Sequence, residues 1–162
     1  MEGLLDDPTV VQRIFDHIDH RTTDLAEGSW REPVANYRSA ARFEAEVALL
    51  RRVPVAFCAS AALPTAGSYV AREALGASLV AVRGTDGRVR AFRNACRHRG
   101  TELVGGSGCA KAFVCRYHAW TYGLDGRLIT APRGNREGGI PKEELGLVAL
   151  RLETWGPLLF VN

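Results

Sequence analysis

A chain of 162 residues with 46% apolar side chains and a formal charge of +3 has room for one folded domain with a core, which argues against disorder. Its basic residues are mostly arginines spread along the chain, so no patch for nucleic acid is expected. The longest mostly apolar stretch, 53–63, contains Pro54 and Ser60 and is too short to span a bilayer, and the start of the chain is acidic. These features predict a cytoplasmic protein with no nucleic-acid partner and no membrane partner.

Residues 8–20 are expected to form a helix. Asp7 is a candidate N-cap, Pro8 suits the first helical position, and Val11, Ile14, Phe15 and Ile18 recur at helical spacing. His17 and His20 fall at its end, where the helix dipole favours solvated histidines, and no third metal ligand stands beside them. Residues 22–38 are polar and contain Gly28 and Pro33, so they read as a connecting segment that Trp30 and Tyr37 pin to the body. A second helix is expected from Ser39 to Arg52, with Phe43, Val47 and Leu50 on one side.

After Pro54 the pattern changes to short β-rich runs. These are 53–57, 68–73, 79–83, 88–94, 112–115, 121–124, 128–131, 147–153 and 158–161. Thr85-Asp86-Gly87 and Asp125-Gly126 read as hairpin turns between them. Many short strands with frequent turns indicate a mainly β sandwich or small barrel. The run Gly105-Gly106-Ser107-Gly108 before Cys109 reads as a loop, and Cys58 as a buried thiol. A disulfide between Cys58 and Cys109 is not expected in a reducing compartment. No internal repeat stands out.

The chemistry concentrates in Cys96-Arg97-His98 and Cys115-Arg116-Tyr117-His118, which use two of the four cysteines and two of the four histidines. Each half of this C-x-H…C-x-x-H pattern supplies one thiolate and one imidazole. A Rieske-type [2Fe–2S] cluster needs two cysteines on one iron and two histidines on the other. A Cys2His2 zinc site is the competing reading. Structural zinc usually pairs C-x2–4-C with H-x3–5-H, whereas each half here mixes the two ligand types.

The surrounding residues carry a family resemblance. Ala91-Phe92-Arg93-Asn94-Ala95-Cys96-Arg97-His98-Arg99-Gly100, then Cys115-Arg116-Tyr117-His118-Ala119-Trp120-Thr121-Tyr122, and the ending Trp155-Gly156-Pro157-Leu158-Leu159-Phe160-Val161-Asn162 resemble the Rieske domain of ring-hydroxylating oxygenase alpha subunits. The resemblance covers roughly 33–162. It implies a Rieske-type antiparallel β-sandwich with cluster-binding loops, preceded by two N-terminal helices. It divides the chain into an N-terminal helical segment, 1–52, and a Rieske [2Fe–2S] domain, 53–162. A catalytic domain holding mononuclear non-haem Fe(II) is expected beyond 162.

The resemblance also implies that Cys96 and Cys115 hold the inner iron and His98 and His118 the outer one. Electrons would come from a ferredoxin or flavin reductase and pass to neighbouring alpha subunits, for oxygenation of an aromatic or related organic substrate. A place in aromatic hydrocarbon catabolism follows from the same resemblance. The alternative is a freestanding Rieske-type ferredoxin that only carries electrons.

Respiratory Rieske proteins carry an extra cysteine in each loop, where Thr101 and Tyr117 stand here, and a serine where Trp120 stands. Fewer hydrogen bonds to sulfur should place this site at the low-potential end of the Rieske range, very roughly −150 to +300 mV. Tyr122 keeps one donor of the respiratory pattern. Trp120 reads as a wall of the cluster pocket. Arg97, Arg99 and Arg116 read as a basic rim for an acidic partner or as ordinary surface charges. Pro132, in Ala131-Pro132-Arg133-Gly134, resembles a cluster-covering proline loop.

Overall fold

The computed structural model describes residues 6–26, 28–74, 76–132 and 139–162, and its contacts divide the chain into two units, 1–39 and 40–162. Among the described residues, no helix is long and apolar enough to cross a membrane.

The first unit contains α1 (Asp7–His20) and α2 (Val34–Arg38). Asp6, not Asp7, caps α1: its carboxylate accepts the Thr9 N–H at 2.9 Å, which moves Asp7 into the first turn. At the far end Arg21 takes a left-handed φ of 51°, and the Thr22 N–H closes on the His17 carbonyl at 3.0 Å. The apolar side of α1 forms as expected but is exposed, with Val11, Ile14, Phe15 and Ile18 between 50% and 62% accessible. His17 lies between the Thr22 hydroxyl, 2.9 Å, and the Asp24 carboxylate, 3.1 Å. Arg13 also bonds Asp24 at 2.6 Å. Those contacts, Arg13 first and His17 second, hold the Asp24 carboxyl below its ordinary pKa. His20 Nδ1 donates to the Asp16 carbonyl at 2.7 Å.

The connecting segment departs from expectation in containing α2, which its polar composition concealed. Trp30 and Tyr37 are exposed, and the Trp30 indole donates to Glu32, two residues away, at 2.8 Å.

The second unit opens with α3 (Ala40–Leu50). Its described strands are β1 (Val55–Ala59), β2 (Ser68–Ala74), β3 (Ala77–Arg83), β4 (Val89–Arg93), β5 (Gly106–Cys109) and β6 (Phe113–Val114). They continue with β7 (Thr121–Tyr122), β8 (Leu128–Thr130), β9 (Ala149–Leu150), β10 (Leu152–Trp155) and β11 (Leu158–Val161). They pair antiparallel in three sheets, ordered β1-β11-β10, β5-β2-β3-β4-β9 and β6-β7-β8.

The five-stranded sheet is covered on both faces. Val80, Val82 and Phe92 pack with Phe113, Tyr122 and Leu128 on one side. Leu79, Ala81 and Ala91 pack with Phe57, Leu159 and Val161 on the other. Burial on both faces is why Leu79-Val80-Ala81-Val82 reads as a continuous apolar run instead of alternating. The expected mainly β, antiparallel sandwich is therefore present. The expected run 147–153 splits into β9 and β10, because the chain leaves one sheet for another at Arg151, where its N–H and carbonyl pair with Asn162.

The glycine-rich run before Cys109 is a strand, not a loop. β5 pairs along β2, with Gly108 opposite Tyr69. A Cβ at Gly108 would lie 2.9 Å from the Tyr69 hydroxyl, so the aromatic ring covers the backbone where a side chain would stand. Cys58 is half-buried, and both Cys58 and Cys109 are free. Burial pushes the Cys58 thiol pKa up, against an opposing effect of Arg72.

The two turns also reveal a short repeat that inspection of the sequence passed over. Gly84-Thr85-Asp86-Gly87-Arg88 and Gly123-Leu124-Asp125-Gly126-Arg127 make the same hydrogen bonds. The Gly84 N–H meets the Arg88 carbonyl at 2.8 Å, and the Gly123 N–H meets the Arg127 carbonyl at 2.9 Å. In both, an Asp carboxylate accepts the N–H two residues on, at 3.1 Å. In both, that carboxylate fills the space a Cβ on the first glycine would need, 2.6 Å away.

The turns differ at their last glycine. Gly87 (φ 77°) faces open space, whereas a Cβ on Gly126 (φ 86°) would lie 2.5 Å from the Phe92 ring. Gly87→Ala should therefore destabilise by about 1 kcal/mol, the cost of a left-handed alanine. Gly126→Ala should lose about 1–3 kcal/mol more through the clash. Urea unfolding of the two variants measures the difference, and equal midpoints would remove the Phe92 contact from the account.

Candidate metal centre

The C-x-H and C-x-x-H segments fold as two loops with one frame. In the first, the Cys96 N–H donates to the Thr101 carbonyl and the Gly100 N–H to the Cys96 carbonyl, both at 2.8 Å. In the second, the Cys115 N–H donates to the Trp120 carbonyl at 2.8 Å and the Ala119 N–H to the Cys115 carbonyl at 2.9 Å. The residue four places after each cysteine is left-handed, with φ 74° at Gly100 and 56° at Ala119. Ala119 holds that conformation without glycine's freedom, a local strain of about 1–2 kcal/mol that the frame sustains.

The frame places the donors at two depths. Cys96 and Cys115 are 3% and 2% exposed, whereas His98 is exposed and His118 half-buried. The thiols meet side by side in the core under the loops. The imidazoles lie edge to face at the rim, with ring centroids 4.8 Å apart. Among the described residues no three His, Cys, Asp or Glu side chains converge on a position for a single metal ion. The donors instead form a sulfur pair inside and a nitrogen pair outside.

Polar groups aim at the sulfurs. Burial alone would raise the Cys115 pKa. Hydrogen bonds from the Tyr117 and His118 amides, with Cys96 and the Thr101 side chain, reverse this and lower it, which favours the thiolate that a metal requires. The Tyr122 hydroxyl lies 3.3 Å from Cys96 Sγ and accepts the Arg97 N–H at 2.9 Å. Toward an ionised Cys96, which has no proton to give, the Tyr122 hydroxyl is the donor. Burial first, then the contact with Cys96, pushes the Tyr122 phenol pKa up, so it stays a donor at neutral pH. The donor set thus fits the Rieske group that the spacing implied. Thr101, expected only as the replacement for an absent cysteine, contributes through its side chain to the lowering of the Cys115 pKa.

Around the imidazoles, Trp120 is buried and stacks on His98 at 4.8 Å and 10°. His98, His118, Trp120, Pro132 and Ile140 line a cleft of about 860 Å³, so Trp120 walls the site and Pro132 lies beside it. Arg133 and Gly134, the rest of the expected proline loop, lie outside the described residues. Arg97, Arg99 and Arg116 are all exposed.

Asn94 is the residue that sequence inspection missed. It is 1% exposed and ties the start of the first loop to its end. Its Nδ2 donates to the Val104 carbonyl at 2.6 Å, Ser78 Oγ at 3.1 Å and Glu102 Oε1 at 3.2 Å. Its Oδ1 accepts the Leu103 and Val104 N–H groups at 3.3 Å. The available signal was an Asn two residues before a ligand at the end of an apolar strand, a position where a buried amide needs a reason.

A family model for the Rieske [2Fe-2S] domain matches residues 53–150, and the chain belongs to that family. It is 38% identical over 136 residues, 83% of its length, to the carnitine monooxygenase oxygenase subunit of Acinetobacter baumannii. It is 44% identical over 80 residues, 49% of its length, to the chloroplastic choline monooxygenase of Spinacia oleracea. The chain spans 37% of the first relative and 18% of the second. A solved structure of a quaternary ammonium Rieske monooxygenase with L-carnitine matches with a TM-score of 0.75 and 34% identity, over 83% of this chain and 39% of that one. Naphthalene 1,2-dioxygenase from Rhodococcus sp. matches 98% of this chain and 36% of its own with the same TM-score at 24% identity, a likeness of fold alone. The names of the first two relatives specify carnitine and choline, so they lend no support to the expected place in aromatic hydrocarbon catabolism.

Asn94→Ala should destabilise the fold by about 2–4 kcal/mol, because it strands a buried carbonyl and two N–H groups at once. Asn94→Asp should be no better, since it keeps the shape but removes the donors. Urea unfolding of both variants tests this, and a loss under about 1 kcal/mol would show that water replaces the amide.

Proposed function

We propose that Cys96 and Cys115 hold one iron of a [2Fe–2S] cluster and His98 and His118 the other. We further propose that the chain is the electron-transfer domain of a Rieske oxygenase subunit acting on a quaternary ammonium compound. The observation that carries the ligand reading is the gradient of depth, with thiols buried beneath half-exposed and exposed imidazoles. When bound, the cluster supplies one-electron transfer.

The chain's residues set the conditions for it. Tyr122, Thr101 and the loop amides aim hydrogens at the sulfurs and offset the thiolate charge. The core beneath excludes water from that side. Around the imidazoles, the exposed Arg97, Arg99 and Arg116 present a positive, accessible rim that suits an acidic ferredoxin or flavin reductase.

The division of labour extends past these residues. Residues 53–162 serve as the Rieske domain and 1–52 as its helical lead-in, with the mononuclear iron in a separate catalytic domain. That iron needs two histidines and a carboxylate with open positions. His17 and His20 are engaged with Thr22, Asp24 and Asp16. A related structure is described by inter-subunit electron transfer, which supports neighbouring alpha subunits as the acceptors here. The names of the carnitine and choline relatives support a trimethylammonium-type substrate. Cys58 and Cys109, the two cysteines outside the proposed ligand set, form no disulfide, which is in keeping with a cytoplasmic location.

Anaerobically purified protein should carry about two irons and two acid-labile sulfides per chain and be red-brown. Cys115→Ser should lose both iron and colour. Stoichiometric zinc in colourless protein would overturn the ligand reading. With the catalytic domain and a reductase present, oxygen uptake should rise with carnitine or choline, and a response only to an aromatic hydrocarbon would overturn the substrate class.

A further inference from the structure

Three planar contacts extend outward from the imidazole pair, two of them crossing between the loops. Trp120, from the second loop, stacks on His98 of the first. On the opposite side, the Tyr117 ring lies against His118 with centroids 3.9 Å apart at 33°. Arg99, from the first loop, lies over the Tyr117 ring, its guanidinium carbon 5.3 Å from the ring centroid. Its Nη1 also approaches the Tyr117 hydroxyl at 3.4 Å. Pairwise contacts thus link Trp120 to His98, His98 to His118, His118 to Tyr117 and Tyr117 to Arg99. Each loop therefore contributes the residue that holds the other loop's ring.

The two holds differ in kind. Trp120 is 5% exposed and is fixed by the core under it. Tyr117 is 58% exposed, so burial cannot fix its ring. What lies over it is Arg99, through a cation–π contact and a long hydrogen bond. A cation over an aromatic face is worth about 0.5–1 kcal/mol at an exposed site, enough to bias one ring orientation over its alternatives. Tyr117 in turn is the ring against which the His118 imidazole rests.

We infer that Tyr117 and Arg99 form a clasp across the two loops that sets the plane of His118, with Tyr117 as a positioning residue and Arg99 as its support. The inference rests on the reading of His118 as a cluster ligand. An imidazole whose plane is set in advance keeps its nitrogen directed at the metal. One that can rotate holds the metal less well and changes its electronic signature. The contact is made by the ring face, so Phe in place of Tyr keeps it and Leu does not. The clasp also gives Arg99 a task within the site, beyond adding charge to the rim.

The test uses the cluster-loaded chain and four variants: Tyr117→Leu, Tyr117→Phe, Arg99→Gln and the double variant Tyr117→Leu/Arg99→Gln. The readouts are the electron paramagnetic resonance g-values of the reduced cluster and the rate of iron loss to a chelator. Urea midpoints of the same samples report the fold. Tyr117→Leu is expected to shift the g-values and release iron about fivefold faster, with Tyr117→Phe restoring the wild-type spectrum. Arg99→Gln should shift the spectrum in the same direction by less, and the double variant should match Tyr117→Leu alone.

Wild-type spectra and release rates in Tyr117→Leu overturn the clasp. So do equal shifts in Tyr117→Leu and Tyr117→Phe, which would make the hydroxyl the agent, or additive effects in the double variant. Iron-free wild-type protein would instead overturn the ligand reading on which the clasp depends, so the two failures are distinct.

Discussion

Asn94 holds the first loop shut from beneath, because a primary amide carries donors and an acceptor on opposite edges of one small group. Here both edges are used inside the core, where each unmade bond would cost about 1–3 kcal/mol. The amide fixes where the chain departs from β4 and where it returns at Val104. Between those points the backbone has only to make the turn that Cys96 and Thr101 close. The position of Cys96, and through it the Tyr122 hydroxyl, follows from that closure. An apolar residue of the same size could fill the space but could not hold two strand ends in register.

The second loop has no such amide and is held by packing. Trp120 and Cys115 belong to the core under the five-stranded sheet, and β6 and β7 bring the loop's ends together. The two loops are thus mechanically different supports for similar backbone frames. They differ too in the histidine's place, two residues after the cysteine in one and three in the other. One added residue within a shared frame turns the second imidazole onto a different path. This is how two like turns present rings edge to face instead of parallel, 66° apart. The sulfur side needs no such asymmetry, because each thiol points into the same core.

Much of the site was legible because its chemistry admits few residue types. Thiolate and imidazole at C-x-H and C-x-x-H spacing restrict the reading, and the short β-rich runs broken by turns supplied most of the sandwich. What stayed hidden depended on partners far away in sequence. Asn94 is an ordinary strand-end residue until Val104 is placed beside it. Gly106-Ser107-Gly108 is a loop by propensity, and becomes a strand only because Tyr69 covers Gly108. The cap of α1 was misplaced by one residue because Asp6 and Asp7 are chemically alike, and only geometry shows which carboxylate reaches Thr9. The substrate class was not legible because no residue that would touch a substrate was recognised in these segments.

The repeated Gly-x-Asp-Gly-Arg turn bears on how the molecule assembles. Each copy closes a hairpin through neighbours in sequence, so both can form in roughly 1–10 μs, before any distant pairing. Two identical turns in one chain invite strands to choose the wrong partner. The hairpins are protected by unequal arms, since β3 and β4 pair over five positions while β7 and β8 pair over two. The long hairpin has the more extensive ladder. The short one needs a surface, and Gly126 meeting Phe92 of β4 provides it. The first hairpin to form is then the template on which the second settles. The half of the site carried by Cys115 and His118 would be completed after the half carried by Cys96 and His98.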